Sequence, residues 1–195
     1  MRKLILFFTC AWILVGCSSR QLVAGDLLFH LSPQANAITS VTEGMIDHVA
    51  MVLNGDSVIE AVGRGVVVTP IDSLRYEKGC YLHARLKKKW LRQTDITATL
   101  INARSYLGRR YDHLYLPTNE EIYCSELVQL SFVDREGKRL FTPIAMSFHD
   151  ESGQITPYWQ EFYKSHNMPV PEGEPGTNPN EMARRKQIKI IGKLK

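Results

Sequence analysis

Ile122-Tyr123-Cys124-Ser125-Glu126-Leu127-Val128 is the stretch on which the reading of this chain turns. A polar run, Thr118-Asn119-Glu120-Glu121, precedes it, and Leu127, Val128 and Phe132 follow at the spacing of one helix face. The pattern predicts a helix that begins within a residue or two of Cys124. A cysteine at a helix start meets unpaired backbone N–H groups and the positive end of the helix dipole. Both favour the thiolate, which is the nucleophilic form. The competing reading is a small apolar side chain packed in the core, and the rest of the chain decides between them.

A thiol nucleophile needs a base, and the base usually needs a third group to orient it. Of the six histidines, His30, His48, His83, His113, His149 and His166, only His48 opens a predicted core strand, His48-Val49-Ala50-Met51-Val52-Leu53. Asn54-Gly55 then signals a hairpin, and the return strand Asp56–Val62 carries Glu60. A three-residue loop, Leu53-Asn54-Gly55, pairs Val52 with Asp56 and sets His48 directly opposite Glu60 on one face. A two-residue Asn-Gly loop pairs His48 with Ala61 instead and turns Glu60 to the other face. The catalytic reading needs the first register, with Ala50, Val52 and Val58 beside His48 and Glu60 on a face that looks toward the start of the Cys124 helix. Val49, Met51 and Ile59 are then buried against another layer. Outside that reading, His48 is a satisfied core histidine and Glu60 a rim carboxylate. No HxxxH or HxH spacing occurs among the histidines, so a metal site is not expected, and a thiol with its base and orienting group needs no organic cofactor.

Around this centre the chain alternates turn signals with short apolar runs. Gly25–His30, Gly65–Thr69, Tyr81–Leu86 and Gln187–Leu194 read as further strands, and Pro70–Leu74 as a short helical turn. Thr94 can cap a helix with Ile96, Leu100, Ala103 and Leu107 on one face and Gly108 as its stop. Tyr158–Tyr163 reads as a short aromatic helix, residues 32–44 and 137–157 as irregular, and the Pro/Gly/Asn-rich residues 169–181 as a surface loop. Lys87-Lys88-Lys89 reads as a solvated charge run. The fold class that follows is α+β, an antiparallel sheet with the nucleophile helix packed against it.

The 195 residues suit one domain with a core of its own, and 44% hydrophobic with 23% charged residues argues against disorder throughout. The first residues stand apart. Met1-Arg2-Lys3 is followed by an apolar run from Leu4 to Val15, about the length of a signal h-region and short for a bilayer span. It ends in Gly16-Cys17-Ser18-Ser19, which resembles a bacterial lipobox, with Cys17 lipidated as the first mature residue. The expected division is a signal peptide over 1–16, a lipidated tether over 17–21 and one domain over 22–195. With Ser18 after the cysteine, the expected home is the cell envelope, on the outer membrane. Removing Arg2 and Lys3 leaves 22 basic against 20 acidic residues, too little excess for a nucleic-acid partner. Cys80 and Cys124 remain, with no CxxC and no metal spacing; a disulfide between them is the alternative in an oxidising compartment.

Three segments together, Gly25-Asp26-Leu27-Leu28-Phe29, His48-Val49-Ala50-Met51-Val52 and Tyr123-Cys124-Ser125-Glu126-Leu127-Val128, resemble the circularly permuted NlpC/P60 papain-like cysteine hydrolases, in their YiiX/YaeF-like branch. In that group the histidine strand precedes the nucleophile helix, as it does here. The resemblance implies a permuted papain-like fold and thioester chemistry with Cys124 as nucleophile, His48 as base and Glu60 as the orienting residue. Tyr111 resembles a tyrosine thought to help bind the oxyanion; a partly buried packing tyrosine is the other reading. The implied substrate is a peptide amide, foremost of peptidoglycan stem peptides. An acyl amide or ester of a lipid is the alternative, and a non-catalytic binding lipoprotein the third. A peptide hydrolase should show a polar cleft with charged walls, and a lipid enzyme an apolar tunnel ending at Cys124.

Overall fold

The structure is a computed structural model that describes residues 21–74 and 78–194. The leader and Cys17 lie outside the described residues. The chain begins with strands β1 (Leu27–Leu31), β2 (Ile46–Val52), β3 (Ser57–Val62) and β4 (Gly65–Pro70), then a one-turn helix α1 (Ile71–Leu74) and strand β5 (Cys80–Leu86). Helices α2 (Lys88–Leu91), α3 (Ile96–Ser105) and α4 (Cys124–Ser131) follow. The last part holds β6 (Ile144–Ala145), α5 (Pro157–Ser165), β7 (Pro175–Gly176), α6 (Pro179–Arg184) and β8 (Ile188–Lys193). Six strands form one antiparallel sheet in the order β4-β3-β2-β1-β5-β8, and β6 pairs with β7 apart from it.

Period-two alternation divides the sheet into two apolar faces. Leu27, Phe29, Val49, Met51 and Ile59 pack with Leu127, Val128 and Phe132 of α4. Leu28, Ala50, Val52 and Val58 look the other way and close against Ile71, Leu74 and Tyr81. Each fully buried aliphatic side chain contributes about 1.5–3 kcal/mol, so α4 is fixed to the strands that carry His48 and Glu60. The expected face is thereby corrected. α4 packs on the Val49/Met51/Ile59 face, and Ala50, Val52 and Val58 lie on the side away from it.

The hairpin register also differs from the expected one. Met51 pairs with Ile59 and Val52 with Val58, two residues on from the three-residue loop. The reason lies in Asn54, whose side-chain carbonyl accepts from the amides of Asp56 (2.9 Å) and Ser57 (3.0 Å) and from the Ser57 hydroxyl (3.0 Å). Such an Asx turn holds a wider loop than Asn-Gly alone would. A slip of two residues preserves which side each residue faces, whereas a slip of one would not. The β2–β3 ladder stops at Met51–Ile59, and β2 slips register against β1 between His30 and Leu31. His48 lies beyond the last β2–β3 pair but still pairs with His30 of β1, next to that register shift.

Two smaller corrections follow. Asp95, not Thr94, caps α3, accepting from the Ala98 amide at 2.9 Å; the Thr94 hydroxyl instead donates back to the Trp90 carbonyl. The supposed loop 169–181 contains β7 and the start of α6, with Asn178 as N-cap and Pro179 at the first helical position. Cys80 and Cys124 are both free thiols.

Candidate active site

Cys124 is the first residue of α4 and is buried. Tyr123 before it is extended, at φ −99° and ψ 168°, so the chain turns into the helix at the cysteine itself. The first amides of a helix have no partner inside it, which leaves the Cys124 N–H as a donor at the helix start. Tyr123 anchors the turn. Its hydroxyl accepts from the Thr177 amide at 2.9 Å, while the Thr177 hydroxyl donates to buried Ser125 at 2.9 Å. The strand–helix segment 175–180 is thus strapped across the start of α4.

His48 stands between Cys124 and Glu60. Its Nε2 meets Glu60 Oε2 at 2.8 Å, and Cys124 adjoins it closely enough to favour the charged ring. With Nε2 taken, Nδ1 is the nitrogen left for the sulfur. Burial alone would drive His48 toward the neutral form; the Cys124 sulfur and the Glu60 carboxylate outweigh it and push its pKa up to about 10. Burial would likewise raise Glu60, but the His48 imidazolium holds it below the usual carboxylate range. The second Glu60 oxygen accepts from the buried Thr69 hydroxyl at 2.5 Å. Thr69 on β4 therefore fixes the carboxylate that fixes the imidazole.

Tyr111 and Tyr115 lie on the other flank, close enough for their phenols to influence each other and to feel Cys124. Burial, with the charge of Cys124 beside them, pushes both above the ordinary phenol range, so both remain proton donors at working pH. Their loop is organised by Asp112, which is fully buried and accepts from the amides of Leu114 and Leu116, each at 2.8 Å. Tyr115 sits at φ 51°, a left-handed conformation uncommon for an aromatic residue.

An open cleft lies against Cys124, walled mainly by Ile38, Val41, Tyr115, Phe148 and Trp159, with Thr42, Ser147 and Asn178 as polar lining. No charged side chain lines it. Helix α5 buttresses both sides. Trp159 Nε1 donates to the Ala37 carbonyl at 3.1 Å, and the Tyr163 hydroxyl donates to the Leu114 carbonyl at 3.0 Å.

The structure brings Cys124, His48 and Glu60 together and sets Tyr111 next to them through Tyr115. His30 and His83 serve other carboxylates, Asp47 at 2.6 Å and Asp26 at 2.7 Å. Sequence reasoning missed Thr69, Tyr115, Asp112 and the 175–180 strap. Asn178-Pro179, a cap residue followed by a first-turn proline, was the legible sign of the strap. Among the described residues, no group of three or more His, Cys, Asp or Glu side chains is arranged to hold a metal ion.

A family model described as permuted papain-like amidase enzyme, YaeF/YiiX, C92 family, matches residues 21–192. The crystal structure of metalloprotein YiiX from Escherichia coli O157:H7 resembles the chain with a TM-score of 0.69 at 23% identity, over 89% of this chain and 98% of that one. That likeness is one of fold. No curated protein matches the chain.

Proposed function

The chain belongs to the permuted papain-like amidases of the YaeF/YiiX, C92 family and is a cysteine hydrolase of that class; on that premise we propose that it cleaves an amide or ester whose acyl part is apolar. The observation that carries this reading is the cleft, apolar and aromatic along its walls and ending at Cys124. A stem peptide of peptidoglycan would call for charged walls, and the cleft has none.

The chemistry runs through residues already in contact. His48 takes the Cys124 proton, and Glu60 holds the resulting imidazolium in place. The thiolate attacks the carbonyl carbon. The Cys124 amide, with a phenol of the Tyr111–Tyr115 pair as a second donor, stabilises the oxyanion. His48 returns its proton to the departing amine or alcohol, leaving a thioester on Cys124. Water, deprotonated by His48, then releases the acid and restores the thiol. The YiiX crystal structure is described as that of a metalloprotein; among the described residues no group of three or more His, Cys, Asp or Glu is placed to hold a metal ion.

The reading is tested by incubating the purified protein with N-acyl amino acids of graded chain length, with phospholipid and with peptidoglycan fragments, and weighing the products. Release of fatty acid that rises with chain length is expected. Cleavage of the peptidoglycan fragments alone would replace the acyl reading with the peptide one.

A further inference from the structure

Two stretches that contain no Asp or Glu, residues 84–93 and 182–195, are brought side by side. Arg85 pairs with Lys189 and Leu86 with Ile188 across β5 and β8, and the Lys87 amide donates to the Gln187 carbonyl at 2.8 Å. Some of the cations here are neutralised: Arg85 by Asp26, Arg184 by Glu43, Arg185 by Glu181. Lys87, Lys88, Lys89, Arg92 and Lys186 are exposed and have no carboxylate partner among the described residues. They gather around Trp90, with Lys89 and Lys186 at 5.5 and 5.6 Å from its ring. Leu91 beside them is 39% exposed.

A second observation, independent of charge, concerns where the chain enters the domain. Arg85 Nη2 donates to the Gln21 carbonyl at 3.0 Å, and the Gly25 amide donates to the Val52 carbonyl at 2.9 Å. The first described residue is therefore held against β5, two residues before Lys87. A basic cluster with an indole and an exposed leucine, adjoining the point where a tether arrives, has the chemistry of a surface that meets phosphate head groups.

We propose that the face formed by Lys87–Lys89, Arg92 and Lys186 around Trp90 docks on an anionic lipid surface and sets how the domain stands on it. The proposal rests on the reading of Cys17 as lipidated only for what brings the face to the surface; the contact itself belongs to the basic face. Docking leaves the reacting residues free, because Gly25 meets the last residue of β2 and His48 lies near its first.

The test places the full-length protein in nanodiscs of phosphatidylcholine, alone or with about a third phosphatidylglycerol, and follows lysine acetylation by mass spectrometry. Lys87, Lys88, Lys89 and Lys186 should acetylate at least about fivefold more slowly in the anionic discs, while exposed Lys138 and Lys164 keep their rates. The protection should vanish at high salt. Lys87→Glu/Lys88→Glu/Lys89→Glu should abolish the protection of Lys186 while leaving hydrolysis unchanged. Equal rates in both discs, or slowing spread over all lysines, would overturn the proposal. So would protection by a short RNA or a soluble polyphosphate in the absence of any by the discs. Intact mass reports whether Cys17 carries lipid, and for an unlipidated chain the same contrast is read by co-sedimentation with vesicles of the two compositions. A failed anchor is thereby told apart from a failed docking face.

Discussion

His48 is caught between opposing effects, and the balance sets the pH behaviour. Burial favours the neutral ring; Cys124 and Glu60 favour the charged one and win, to about pH 10. A histidine whose pKa rises on folding, from an ordinary 6.5, contributes stability that is complete below about pH 6.5 and is lost as the pH climbs toward 10. The same titration removes the proton needed by the leaving group. Hydrolysis should hold across neutral pH and fall on an alkaline limb near pH 10, a profile that a pH–rate series reads directly. Glu60→Gln removes one of the two groups that hold the charge. Its His48 NMR titration should move to lower pH, with kcat down by about 10²–10⁴-fold. Thr69→Val should give a smaller shift in the same direction, because only the second oxygen of Glu60 loses its donor.

At the scale of elements, the site depends on segments far apart in sequence being tied to β2 and α4. Asn180 is the clearest tie. Its side chain accepts from the Ile46 amide at 2.9 Å and donates to the Thr42 hydroxyl at 2.6 Å, joining α6 to the loop that leads into β2. Asn180→Ala leaves the buried Ile46 amide unpaired and should destabilise the fold by about 1–3 kcal/mol, read by chemical denaturation. Gly65 ties β4 to the segment before Tyr111. It sits at φ 100°, and a Cβ there would lie 2.4 Å from the Arg109 carbonyl oxygen. Gly65→Ala should therefore cost more than about 2 kcal/mol. The elements carrying the chemistry were legible because strong local patterns mark them: the apolar spacing after Cys124 and the alternation through β2 and β3. The hairpin register was not, because it turned on whether the Asn54 side chain would fold back onto Asp56 and Ser57, a choice between loops of nearly equal merit. The face on which α4 packs was also out of reach. It turns on which of the two apolar faces of β2 and β3 meets the helix, and local pattern does not tell them apart.

Over the whole molecule, the sheet and α4 supply the reacting groups, while a separate aromatic cluster, Met146, Phe148, Trp159 and Tyr163, shapes what reaches them. That cluster joins loop 32–44, loop 112–119 and α5, and its assembly was invisible in sequence because none of the three segments shows its partner. Tyr158–Tyr163 was readable as a helix, but not as the wall of a cleft. Trp159 is nearly fully buried, meets Phe148 and Tyr115 at 5.2 and 5.7 Å, and should cost about 3–5 kcal/mol when replaced by alanine. The milder Phe148→Ala, at the cleft itself, should raise KM for long acyl chains more than for short ones. The mechanism as a whole stands on a covalent intermediate at one sulfur. Rapid acid quench during turnover of an activated acyl ester, followed by intact mass and peptide mapping, should show a single acyl group, carried by Cys124 and absent from Cys124→Ala. Steady turnover with no acyl group on Cys124, or Cys124→Ala turning over at the rate of the unaltered protein, would contradict it.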